Sequence, residues 1–287
     1  MSQPFLSTIA TTFSATFNRL RSIQSTNPEL TPENWCQAQP CVTIKLAAKE
    51  IILTQPSSTV FVYSLGVLTT GVGLNFLWRQ GHEASRMWWG IAMVLWGIGA
   101  LLAGTSYQAF GYQIKCAGQK TCAWTSWWEV IYLMFQQVSM DALLVAVAYS
   151  CATAVWRQAL LGYALAGAVI YVSMTFIGAI IPVKSLITFE LMVGVSTPIC
   201  LFVLGLNSWR YYTYNTSMDL ALTVAWVLLL AAMLAYWLYD KSDLTARLWA
   251  KGKGVWFSQN DVLHIGLILW MIYIAIVLTT RINDYPA

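Results

Sequence analysis

What most constrains this chain is where its charges lie: they are confined to short segments between long apolar runs. A helix that crosses a bilayer needs about 20 mostly apolar residues, and an ionised group inside it is costly. Seven runs meet that condition, at approximately 57–78, 87–110, 127–155, 158–181, 185–208, 217–239 and 259–281. Composition agrees, because 58% of the residues are hydrophobic and 10% charged, where an ordinary soluble domain has roughly a quarter charged. The expected fold is an all-α integral membrane protein: a seven-transmembrane helix bundle over 51–287, preceded by an N-terminal tail over 1–50.

The ends of the runs support this division. An uncharged stretch from Ile51 to Trp78 holds the first span, and a lone Arg157 separates the third span from the fourth. Pro198 falls mid-length in the fifth, which membrane helices tolerate when neighbours or water satisfy the freed carbonyl. Trp78, Trp88, Trp89, Trp127, Trp128, Trp209, Tyr211, Tyr212 and Trp256 collect near the ends, where amphipathic rings sit among headgroups. In the tail, Phe5, Ile9, Phe13, Phe17 and Leu20 recur at near-helical spacing beside Arg19 and Arg21, which predicts an amphipathic surface helix. An organelle transit peptide is the alternative reading of that acid-free stretch. The basic segment 240–258, with Trp249, Trp256 and Phe257, is expected to lie against headgroups.

Seven spans place the tail and the loops 2–3, 4–5 and 6–7 on one side, here the N-side. Basic residues are more frequent there, which by the positive-inside rule points to the cytoplasm. Cysteines point the other way. Cys36 and Cys41 in the tail and Cys116 and Cys122 in loop 2–3 suggest two disulfides in an oxidising compartment, with the pairing left open. The N-side is therefore expected to be extracytoplasmic. Cys151 and Cys200 fall within or at the ends of spans and read as packing residues.

Ionisable groups inside spans are the first candidates for chemistry. Ser106 and Gln108 lie near the end of the second span, Glu129 and Asp141 in the third, Glu190 at the start of the fifth, and Asn260, Asp261 and His264 at the start of the seventh. All but the deeper Asp141 lie close to the N-side. Asn260 and His264, four residues apart, project from one helical face. Glu129, Asp219 and Asp261 sit near span ends, where they can also simply reach water. The glycines Gly90, Gly97, Gly99 and Gly104 of the second span read as close-packing positions.

This pattern resembles the CREST superfamily of seven-transmembrane hydrolases, which includes alkaline ceramidases and adiponectin receptors. Its members carry Ser and His near the end of span 2, Asp in span 3 and a His-x-x-x-His pair at the start of span 7, with the three histidines on zinc. Here Ser106, Gln108, Asp141 and the Asn260–His264 pair stand at those places, so only one of the three histidines is present. Before the first span, Asn34-Trp35-Cys36-Gln37 and the Gln55-Pro56-Ser57-Ser58-Thr59 entry resemble the ceramidase segment, with amides where its calcium-site acids stand. The resemblance implies a lipid cavity and two functions. One is a non-catalytic lipid-binding, receptor or assembly protein, with membrane lipids and a membrane protein as its partners. The other is a metal-dependent lipid-amide hydrolase. In that case His264 and Asp141 hold zinc, Ser106 and Asp141 serve catalysis, and Gln108, Glu190 and Asn260 serve binding.

Other classes fit less well. No span carries the lysine that a retinal Schiff base needs, nor the arginine array of a voltage sensor or the acid chain of a proton pump. Nucleic-acid binding lacks a concentrated basic domain, and no P-loop occurs. A small-solute transporter would call for a matching pair of interrupted spans, which is not evident.

Overall fold

A computed structural model describes residues 22–46, 49–249 and 254–285. The expected amphipathic helix of the tail lies outside the described residues, apart from its last positions. Seven helices among those described are long and apolar enough to cross a membrane.

The chain enters through a small cap. A single turn, α1 (Trp35–Ala38), leads into an antiparallel hairpin of β1 (Cys41–Leu46) and β2 (Lys49–Thr54), paired from Cys41↔Thr54 to Ile44↔Ile51 and beyond. The hairpin was not foreseen, and residues Ile51–Thr54 of the first apolar run belong to it. Gln55 takes a left-handed backbone (φ 45°) before Pro56, a residue that disfavours helix at the position preceding it. The helix therefore starts only at Pro56.

From there the long elements are α2 (Pro56–Trp78), α3 (Ala84–Ala103) with a π-helical turn over Gly104–Ala109, and α5 (Trp127–Cys151), with a short α4 (Gly111–Lys115) before it. They are followed by α6 (Ala154–Ile180), α7 (Phe189–Tyr214), α8 (Ser217–Lys241), the short α9 (Leu244–Leu248) and α10 (Gln259–Tyr273), which ends in a second π-helical turn over Ile274–Leu278.

Two boundaries differ from expectation. The third and fourth spans part at Ala152–Thr153, and Arg157 lies in the first turn of α6, where its Nη2 donates to the Ala152 carbonyl beyond the end of α5. The fifth span runs on to Tyr214, so Arg210 is a helical residue and not a loop charge.

Six long helices close into a ring, α2–α3–α5–α7–α8–α10, with α10 returning to α2. The seventh, α6, rests on the outside of α5. Accordingly α5 is the most enclosed of the seven and α6 the least. The outward face of α6 exposes Val155, Trp156, Leu165, Val169 and Ile170, a largely apolar surface. Glycines bring α2 and α3 together: a Cβ on Gly73 would stand 2.8 Å from the Gly90 carbonyl oxygen, and one on Gly97 2.8 Å from that of Gly66. Trp89 stacks between Phe76 and Trp226 at centroid distances of 5.9 and 6.0 Å, and Trp96 meets Trp270 at 5.0 Å.

Both disulfides, Cys36–Cys41 and Cys116–Cys122, lie at the cap end, where Trp35 packs against Cys116 and Cys122 and donates from Nε1 to Thr54 Oγ1 at 3.2 Å. Cys151 and Cys200 are free and buried. At the other end, Asp284 accepts from the Ala84 and Ser85 amides at 2.9 and 2.8 Å, satisfying the first turn of α3.

Candidate functional site

Two adjacent cavities lie within the ring. The outer one, beside the cap, has a volume of about 280 Å³ and a mixed polar lining that includes Tyr107, Gln108, Glu129, Glu190, Asn260 and His264. The inner one, about 140 Å³, is almost wholly apolar, with Leu65, Trp96, Met140, Met192, Met233 and Leu267 in its wall. Ala103, Tyr132, Phe189, Leu263 and His264 line both, so vestibule and chamber share one wall, and His264 stands in it.

Each polar group reaches the vestibule for a local reason. The π-helical turn after α3 shifts the register, as such turns often do at functional sites. It turns Tyr107 and Gln108 into the vestibule while Ser106 faces α5. Thr188 caps α7, accepting from the Leu191 amide at 3.2 Å, and so places Glu190 in the first turn at the rim. Ser258 and Asp261 form a capping box that fixes the start of α10. Asp261 is thereby committed to the cap, and Asn260 and His264 emerge on the vestibule side.

The buried wall of the vestibule is an ion pair. Glu129, 1% exposed, accepts at Oε1 from Lys115 Nζ and from Ser106 Oγ, both at 2.8 Å, and at Oε2 from Thr125 Oγ1 at 2.9 Å. Lys115 Nζ also lies over the Tyr107 ring, 5.1 Å from its centroid. Ser106 shares a hydrogen bond of 2.7 Å with Ser126 and is wholly buried, so its hydroxyl serves this network and does not open into the vestibule.

Two atoms in the vestibule wall stand out. Gln108 Oε1 and His264 Nδ1 are both buried and have no hydrogen-bond partner among the described residues. A buried polar atom left unpaired costs about 1–3 kcal/mol. The arrangement therefore suits a ligand that brings hydroxyl, amide or amine donors, with Nδ1 accepting or donating according to its tautomer.

Asp141 is elsewhere. It faces α6, where Gly167 leaves room for it: a Cβ there would stand 3.0 Å from Asp141 Oδ1. Gln137 donates to its Oδ2 at 3.3 Å and accepts from Ser196 at 2.8 Å, and Ser196 lines the chamber. The structure therefore unites Gln108, Glu190, Asn260 and His264, keeps Ser106 one layer behind them, and separates Asp141. Among the described residues no three of His, Cys, Asp and Glu come together to hold a metal ion, and of the expected zinc pair His264 lines the vestibule while Asp141 faces Gly167.

Sequence reasoning missed two charged pairs. Lys115, at the end of α4, is buried against Glu129. Arg210, 6% exposed, donates to Asp219 from Nε at 2.9 Å and to the Cys151 carbonyl from Nη1 at 2.9 Å. The one legible signal was Thr216 three residues before Asp219, a cap that the structure shows with the Asp219 amide donating to Thr216 Oγ1 at 3.1 Å. Comparison with protein-family models, curated proteins and solved structures finds no match for this chain.

Proposed function

We propose that this chain is a multi-pass membrane protein that binds an amphiphilic lipid non-catalytically, with the polar head in the vestibule and the apolar chain in the chamber. The observation that carries this reading is the placement of a polar and an apolar cavity side by side across a shared wall of Ala103, Tyr132, Phe189, Leu263 and His264. A ligand site of this kind is mostly apolar, with a few placed polar groups that fix orientation. Gln108 Oε1 and His264 Nδ1 supply that pattern and select a head with hydrogen-bond donors.

A distant relationship to the ceramidase-like hydrolases belongs to the proposal and rests on the order of Ser106, Gln108, Asp141 and His264. The hydrolase alternative asks for three protein ligands around one zinc. Glu129 is already held by Lys115, Ser106 and Thr125, which favours the binding reading. The presence of both disulfides at the vestibule end supports an extracytoplasmic position for that end.

The test is photo-crosslinking of the detergent-purified protein with a diazirine-bearing N-acyl amino alcohol. Labelling of Met140, Met192 or Met233, competed by the unlabelled compound, is expected. Labelling confined to the outer face of α6 would overturn the reading.

A further inference from the structure

A third and larger cavity lies outside the ring, between α6 and α7, near the end of the bundle opposite the cap. Its volume is about 840 Å³, toward the upper end of the roughly 300–1,000 Å³ typical of ligand pockets. It exists because α6 leans on α5 and makes no extended contact along α7. Leu160, Phe202 and Leu206 give it apolar walls, and Trp156 and Trp209 stand at its rim.

The groove is not uniformly apolar. Arg210, nine-tenths buried, lines it. Its Nε and Nη1 are engaged by Asp219 and Cys151, and its guanidinium is flanked by the rings of Tyr214 and Tyr285 at 5.4 and 5.1 Å. Nη2 has no acceptor among the described residues. At the same end of the groove, Thr153 begins α6 without a side-chain cap, so the first-turn amides of a 27-residue helix present the positive end of its dipole there. An arginine fixed by two other bonds, one of them to the Cys151 carbonyl two residues before Thr153, and an uncapped helix start line the same groove, and both favour an oxyanion.

We propose that this groove is a binding site for a bilayer phospholipid, with its phosphate on Arg210 Nη2 and the first turn of α6, and an acyl chain between α6 and α7. A free phosphate would leave the apolar walls unused, and a neutral lipid would leave Nη2 unpaired. The site is independent of the vestibule, which presents acceptors where this groove presents donors.

The test compares phosphatidylglycerol with diacylglycerol of the same chains, titrated into delipidated protein in detergent and counted by native mass spectrometry. Phosphatidylglycerol is expected to bind roughly tenfold or more tightly, the scale of one charge-assisted hydrogen bond. Ala159→Trp, which fills the groove from an exposed position, is expected to remove that one lipid at unchanged Tm. Arg210→Gln/Asp219→Asn, which removes both charges together, is expected to abolish the preference for phosphate. Equal binding of the two lipids by the wild-type protein would overturn the proposal, as would Ala159→Trp leaving the bound count unchanged. Inorganic phosphate displacing the lipid would assign the site to the free anion and overturn the lipid reading.

Discussion

Lys115 Nζ stands 2.8 Å from Glu129 Oε1, and the same oxygen accepts the Ser106 hydroxyl, so one carboxylate ties α4, the π-helical turn and α5 together behind the vestibule. Breaking a buried pair from one side leaves a charge with no partner, at a cost of about 3–5 kcal/mol, while replacing both partners by apolar residues is often neutral. Glu129→Ala is therefore expected to lower the Tm in detergent sharply, and Lys115→Met/Glu129→Leu to recover most of the loss. A Tm unmoved by Glu129→Ala would show that the pair does not hold this wall.

Asp141 gives a second test: it lies outside the vestibule and chamber walls, packed against Gly167, with Oδ1 buried and without a partner among the described residues. Gly167→Val, which drives a side chain into the carboxylate, is expected to destabilise the protein more than Gly167→Ala. Asp141→Asn is expected to retain lipid binding, since Asp141 lies outside the vestibule and chamber walls. Loss of binding at unchanged Tm would place Asp141 in the site after all.

The seven long apolar helices were legible because an apolar run of about 20 residues carries its own signature. Asn260 and His264 were legible as a pair because the helical repeat puts positions four apart on one face. The hairpin was hidden by its neighbour: Ile51–Thr54 continue the apolar character of α2 without a break, and only Pro56 marks the change. The place of Asp141 was not legible, because Gly167, on another helix, makes its space. The burial of Lys115 and Arg210 was not legible either. Each depends on an acid, Glu129 or Asp219, that the fold brings to it, and sequence spacing alone does not state which charges will meet.

The two disulfides close loops with sequence separations of 5 and 6 residues. By loop entropy each contributes about 2 kcal/mol. Cys36→Ser/Cys41→Ser and Cys116→Ser/Cys122→Ser are each expected to lower the Tm. In intact cells, after mild reduction, a membrane-impermeant maleimide is expected to label the wild-type cysteines at the cap. Labelling only after membrane disruption would reverse the orientation proposed.

Metal dependence separates the binding reading from the hydrolase. Exhaustive dialysis against a chelator is expected to leave both Tm and lipid binding unchanged, because among the described residues no three donor side chains gather around one point. Zinc at one equivalent per chain, lost in His264→Ala, would restore the hydrolase.

The most direct measurement of the central claim is native mass spectrometry of the protein purified from its own membranes, beside Ala103→Trp, which places an indole in the wall shared by vestibule and chamber. The wild-type chain is expected to retain one amphiphile with a hydroxyl, amide or amine head, and Ala103→Trp to lose it while keeping its Tm. Full occupancy by the same lipid in Ala103→Trp, or wild-type protein that takes up no such lipid even when it is supplied in excess, would contradict the assignment of this cavity as a lipid site.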